Sequence, residues 1–251
     1  MLGVMNNPPI TIEALTEKIP AELRLQSGKV FYSGRNAFSA PSALYVLGVN
    51  PGGDPANNEA ETVGNHTAAV LHSHADDWSA YRDESWEGAI PGSYGMAPRV
   101  LHLFAALGLS PGRIPCSNLV FVRSRREGDI GHEMSSLADL CWPFHALAIE
   151  RLEPRAILCF GKTAGNYVRR KVGANTLLRE FIETNNRRWR SQAFSNSAGL
   201  KVVVATHPSI ADWTAASTDP TSIVRESLLT PSASVEPTAH GKPWSAVHLE
   251  H

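Results

Sequence analysis

Four short apolar runs punctuate the chain, at residues 44–48, 119–122, 156–160 and 202–205. Each is continuously hydrophobic rather than alternating, the pattern of a strand covered on both faces by helices. Between them the period changes to that of helices. Val100, Leu103, Phe104 and Leu107 follow i, i+3, i+4, i+7 spacing, with Pro98 near the start and Gly108 as a stop signal. Leu137, Leu140, Cys141, Phe144, Leu147 and Ala148 continue such a stripe toward Leu152, and Pro143 is expected to kink that helix or divide it. Residues 163–171 and 176–182 read as two shorter helices. Strand followed by helix, repeated, predicts an α/β fold: a three-layer α/β/α sandwich around a central parallel sheet of about four strands. Residues 57–88 stand apart. They are polar, rich in His, Asp, Glu and Trp, and follow the first strand. They read as an insertion over the carboxyl edge of the sheet, where open α/β sheets build their ligand sites.

Composition narrows the class without changing the fold. The chain has 251 residues, 43% of them hydrophobic, enough for a sizeable core. A single domain over residues 1–229 is expected. Residues 230–243 are rich in Pro, Ser and Ala without an apolar period, and Leu249-Glu250-His251 resembles the junction to a truncated histidine tag. Residues 230–251 therefore read as a loose tail with a vector-derived end. Net charge is -1, so any nucleic-acid contact must rest on a local patch. Three widely spaced cysteines argue against a disulfide framework and against a four-cysteine iron–sulfur cluster. No apolar run reaches the roughly 20 residues that span a bilayer, and the start lacks the basic and apolar regions of a signal peptide. A cytoplasmic protein with no cofactor and no membrane contact is expected.

Three short motifs lie where chemistry would use them. Gly48-Val49-Asn50-Pro51-Gly52-Gly53 follows the first run directly, so Asn50 presents a short amide at a strand end. Thr206-His207-Pro208-Ser209 follows the last run and sets a histidine at an equivalent position. Ser117-Asn118 precedes the second run, and an amide offers both the donor and the acceptor that suit a pyrimidine edge. Taken singly, each is most often an ordinary turn or loop cap. His72-x-His74-x-Asp76 has ligand residue types but no second cluster, so it reads as a solvated polar loop and no metal is expected. A phosphate loop is also absent, since Gly161-Lys162-Thr163 lacks the upstream glycine.

The order of motifs is more specific than its parts. Gly-Val-Asn-Pro-Gly, then Ser-Asn-Leu-Val, then Ala-Ile-Leu-Cys-Phe-Gly-Lys-Thr-Ala, then Thr-His-Pro-Ser resembles the uracil-DNA glycosylase superfamily over roughly residues 43–213. The resemblance implies removal of uracil or a related deaminated base from single- or double-stranded DNA by a monomeric enzyme. It puts Asn50 at the water-positioning place, which is Asp in the fastest members, and His207 near the base O2. It implies base contacts from Val49, from Tyr94 as the stacking ring and from Asn118 as the edge reader. Trp78, Trp86 and Phe121 compete for the stacking role. Pro51, Gly52, Lys162, Ser209 and Ile210 are the implied DNA contacts, and Ile210 and Trp213 compete as the wedge. The arginines at 123, 125 and 126, and those at 187, 188 and 190 around Trp189, are candidate phosphate partners. Asn50 resembles the mismatch-specific and single-strand-selective branches, whereas His207-Pro208-Ser209 resembles the single-strand-selective and main uracil branches. Residues 57–88 are longer than the family pattern, so no subfamily is assigned. The competing expectation is a weakly active or non-catalytic member that binds nucleic acid or a free nucleobase. Either way, Asn50, Asn118 and His207 should meet at one edge of the sheet.

Overall fold

A computed structural model describes residues 11–229. The predicted tail at 230–251 lies outside the described residues. Six strands form one sheet: β1 (Leu44–Gly48), β2 (Cys116–Asn118), β3 (Ala156–Phe160), β4 (Thr176–Ile182), β5 (Arg190–Ser195) and β6 (Lys201–Ala205). Their order is β2-β1-β3-β6-β5-β4. The first four in that order run parallel, and β5 and β4 add an antiparallel hairpin at one edge. The helices are α1 (Ile12–Thr16), α2 (Val63–His72), α3 (Ala80–Asp83), α4 (Ala97–Ala106), α5 (Met134–Leu152), α6 (Lys162–Val172) and α7 (Thr221–Leu229).

The continuous apolar strands explain the three layers. Successive side chains point to opposite faces, so a strand buried on both sides feeds two cores. Tyr45, Leu47, Ile157, Cys159, Val202 and Val204 pack with α1, α5 and α6 on one face. Leu44, Val46, Leu158, Phe160, Val203 and Ala205 pack with α4 and α7 on the other. The sheet thus matches the expected sandwich, with six strands in place of four.

Three elements differ from the reading of the sequence. Residues 176–182 form strand β4, not a helix. Their apolar residues also fit a helical stripe, but β5 supplies the cross-strand partners, from Thr176 opposite Ser195 to Ile182 opposite Arg190. The middle strand is β2, just ahead of the apolar run 119–122. That run is buried but leaves the regular ladder and is shared between two neighbours: Leu119 and Val120 donate to the Gly48 and Val49 carbonyls, while Lys29 donates to Phe121. Finally, residues 57–88 fold into α2 and α3, and Val63, Val70, Trp78, Ala80 and Tyr81 enter the cores. The segment is polar on average yet pays its way with a few buried residues. Pro143 sits inside α5, which continues as one helix.

Register decides where the motifs lie. Gly48 pairs with Asn118, Leu47 with Cys159, and Phe160 with Ala205. The carboxyl ends of β1, β2, β3 and β6 are therefore level. The chain moves to one side from β1 to β2 and to the other from β3 onward, so the topological switch point lies between β1 and β3. Ligands of open α/β sheets bind at such crevices.

Candidate functional site

A cleft of about 1400 Å³ opens at this edge. Val49, Asn50, Asn118 and His207 all line it. Asn50 is half-buried, and its orientation is set by its neighbours. Its Nδ2 donates to the Pro51 carbonyl at 3.0 Å, the Val122 carbonyl at 3.3 Å and Ser124 Oγ at 2.9 Å. Ser124 spends its own proton on the Arg126 carbonyl at 2.8 Å, so it must accept from Asn50. The nitrogen end is committed to protein, which leaves the Oδ1 end as an acceptor for a ligand or water.

Asn118 ends β2 and is only 6% exposed. Among the described residues its buried Nδ2 has no well-formed hydrogen bond, and the Tyr32 hydroxyl is its near neighbour. Burying an amide donor without a full partner costs free energy, a cost that a carbonyl reaching it from the cleft would relieve. Gly48 makes room for it: a Cβ there would lie 2.1 Å from Asn118 Oδ1.

His207 follows β6. Its Nδ1 accepts the Ser209 N–H at 3.1 Å and lies 2.8 Å from Ser209 Oγ. A backbone amide can only donate, so neutral His207 carries its proton on Nε2. Burial lowers its pKa, and Glu127 opposes the shift without cancelling it. The ring is therefore a neutral donor near pH 7, seated edge-on against Phe160 at 6.1 Å.

The rim sorts the remaining residues. Tyr94 is 49% exposed and lines the cleft. Of its competitors, Trp78 is buried and stacks on His74 at 4.2 Å, and Phe121 is wholly buried. Trp86 does reach the cleft, with its indole N–H donating to Glu84 at 2.8 Å. Ile210 is 56% exposed at the rim, whereas Trp213 is fully buried and donates to the Thr206 carbonyl. Burial removes Trp213 as a wedge. Gly52, Lys162 and Ser209 line the cleft. Pro51 is buried instead, its carbonyl accepting from Asn50 and from the Ser124 N–H.

Sequence reading missed one wall. Lys29, 7% exposed, bonds Glu84 at 2.8 Å and Glu61 at 3.0 Å, and Arg123 pairs with Glu61. Burial works to lower the Lys29 pKa, but Glu84, Tyr32 and Glu61 outweigh it and the net shift is upward. Tyr32 lies beside Asn118 and lines the same cleft. No local pattern marks Lys29, because its partners lie 32 and 55 positions further along the chain.

Among the described residues no group of three or more His, Cys, Asp or Glu side chains is placed to hold a metal, and no helix is long and apolar enough to cross a membrane. His74 is taken up by Trp78, and Asp76 by Arg35. All three cysteines are free and buried, with burial pushing Cys116 and Cys141 up to about 12. No protein-family model matches the chain, and no curated protein matches its sequence.

Proposed function

We propose that this protein is a monofunctional DNA glycosylase of the uracil-DNA glycosylase superfamily. It hydrolyses the N-glycosidic bond of uracil or a related deaminated base in DNA, as a monomer in the cytoplasm. The observation that carries this reading is the cleft's set of uncommitted polar groups. An acceptor end of Asn50, a buried donor on Asn118 without a well-formed hydrogen bond among the described residues and a neutral Nε2–H on His207 converge from three strand ends.

The chemistry follows from those groups. The target base leaves the stack and enters the cleft, at a cost of a few kcal/mol that favours mismatched or single-stranded sites. Asn118 Nδ2 donates to a carbonyl on the base edge, and Tyr94 or Trp86 stacks on its face. The C1′–N bond breaks with its electron pair going to the base. His207 Nε2–H donates to the base carbonyl oxygen as negative charge develops there. Asn50 Oδ1 accepts a hydrogen bond from the water that bonds to C1′. That water's proton passes to solvent, and the departing base regains a proton to leave neutral. An amide has no useful proton affinity, so Asn50 orients water without deprotonating it. Slow turnover, or a base that leaves easily, is the consequence.

The competing reading is a non-catalytic member that holds a nucleobase, and the amide at Asn50 is the observation that favours it. Purified protein incubated with oligonucleotides carrying uracil, hypoxanthine or xanthine separates the two. Alkali-labile abasic product from at least one base is expected. Binding of the same oligonucleotides without product on any of them overturns the enzyme reading.

A further inference from the structure

The β4–β5 hairpin lies outside the four-stranded parallel sheet that the sequence pattern implied, yet its tip reaches the cleft. Arg188, Trp189 and Arg190 line the same opening as His207 and Ile210. Trp189 is a large indole left 40% exposed, with the Arg187 guanidinium 4.2 Å from its ring centre.

The tip is fixed in place. Arg187 pairs with the buried Glu183 at 3.2 Å and donates to the Ile210 carbonyl at 2.6 Å. Asn185 Oδ1 accepts the N–H groups of Arg187 and Arg188, while its Nδ2 donates to Glu183 at 2.9 Å. Thr184 N–H donates to the Ser217 carbonyl, and Thr206 N–H to Ser191 Oγ. One hydrogen-bonded unit therefore carries two exposed apolar side chains, Trp189 and Ile210, at one rim. Arg188 is held at φ 55°, a left-handed backbone that a non-glycine residue adopts at a cost. It is also exposed and has no ion-pair partner among the described residues, whereas Arg187 and Arg190 are paired with Glu183 and Glu180.

We propose that this hairpin tip is a second nucleic-acid contact: Trp189 stacks on a base next to the extruded nucleotide, and Arg188 meets a backbone phosphate. The inference rests on the reading of the cleft as a site for a DNA base. Single-stranded DNA is the occupant whose chemistry fits. Unpaired bases offer faces to an exposed indole, phosphates offer charge to an unpaired arginine, and the tip is continuous with the cleft that takes the flipped base. The contact is sequence-tolerant, because every base has a π-face.

The test is fluorescence anisotropy of a labelled single-stranded 15-mer containing a tetrahydrofuran abasic analogue, at several salt concentrations. Trp189→Ala is expected to weaken binding about tenfold or more. Trp189→Phe should restore most of the loss, an outcome that a merely structural role for the indole does not produce. Arg188→Gln should lower the slope of log K against log salt by about 0.7, the value for one phosphate on a single strand. Thermal melting of each variant reports on folding, and Arg188→Gln keeps the test open if Trp189→Ala fails to fold. Cleavage of uracil-containing DNA by the parent is measured in parallel. Parent-like binding and salt slope in folded Trp189→Ala and Arg188→Gln overturn the hairpin contact, whatever the cleavage result. Weakened binding in those variants with no cleavage by the parent supports the contact and overturns only the glycosylase reading. A parent that binds no DNA overturns the hairpin contact as well.

Discussion

At the scale of single residues, the proposed reaction gives Asn50 and His207 separable roles. In the proposed reaction His207 donates to a charge that exists mainly in the transition state, so His207→Ala should cost about 10²–10³ in single-turnover rate. Asn50→Ala should slow the chemical step and leave binding to an abasic-analogue oligonucleotide nearly unchanged. If both variants cleave every tested base at the parent's rate, neither residue is catalytic. The His207 pKa is lowered by burial, so its neutral form should prevail at and above the ordinary histidine value. In a cleavage profile from pH 8 to 5, any step from this histidine should have its midpoint below 6.5, and a midpoint above 6.5 that His207→Ala abolishes would contradict the burial effect. Lys29 carries a stability prediction. Removing its ammonium leaves Glu61 with Arg123 as its cation and Glu84 with the Trp86 indole N–H. With carboxylates that are partly exposed and retain other partners the loss is about 1–3 kcal/mol, so Lys29→Ala should lower the urea midpoint without altering the far-ultraviolet spectrum of the folded form.

Elements are held to one another by close approach as well as by burial. Helix α6 crosses β6 at Gly165, where an added Cβ would sit 2.5 Å from both methyls of Val204. Alanine is the better helix former, yet Gly165→Ala should destabilise the protein by about 1–3 kcal/mol, because the helix must move off the strand. Thermal melting measures this. A variant as stable as the parent would show that α6 can shift freely, and with it Lys162 at its first turn. The same scale explains the misread strand β4. Its seven residues are mostly exposed, with Leu177 and Leu178 on the surface. An exposed edge strand lacks the continuous apolar signature that identified β1, β3 and β6. Its identity comes from pairing with β5.

For the whole molecule, two wholly interior histidines link stability to pH. His145 accepts the Tyr45 hydroxyl at 2.8 Å on Nδ1 and lies 3.1 Å from the Leu119 carbonyl through Nε2. Burial pushes its pKa down to about 4. His66 is buried, both its ring nitrogens lack partners among the described residues, and burial, aided by the charges of Lys29, His74 and Arg123, holds its pKa well below the usual value. Below pH 6.5 the unfolded chain protonates both rings while the folded chain protonates neither. The unfolded state then binds more protons, so stability rises with pH in this window and is lost as pH falls from 6.5 toward 4. Each ring contributes up to about 1.4 kcal/mol per pH unit. Urea midpoints at pH 7.5 and pH 5 should differ markedly, and His145→Gln should reduce the difference. Equal midpoints would mean that these rings titrate normally.

What the sequence determined by itself was whatever rests on local pattern. Three of the four continuous apolar runs, 44–48, 156–160 and 202–205, are strands covered on both faces, and they imposed the three layers. Glycine, proline and asparagine after residues 44–48, and histidine after 202–205, had to fall at strand ends. Legibility ended where a property depends on a partner distant in the chain. The hairpin needed β5 to define β4, and the run at 119–122 left its ladder because residues 27–29 compete for its backbone groups. Trp213 and Ile210 were equal candidates in sequence, and only packing buried one and left the other at the rim. The convergence of Asn50, Asn118 and His207 was decided by register, since parallel strands align their carboxyl ends only when hydrogen bonds between distant segments set them level. Lys29 entered the cleft wall for the same reason. Burying its charge is tolerable only beside Glu61 and Glu84, and tertiary structure alone brings them together.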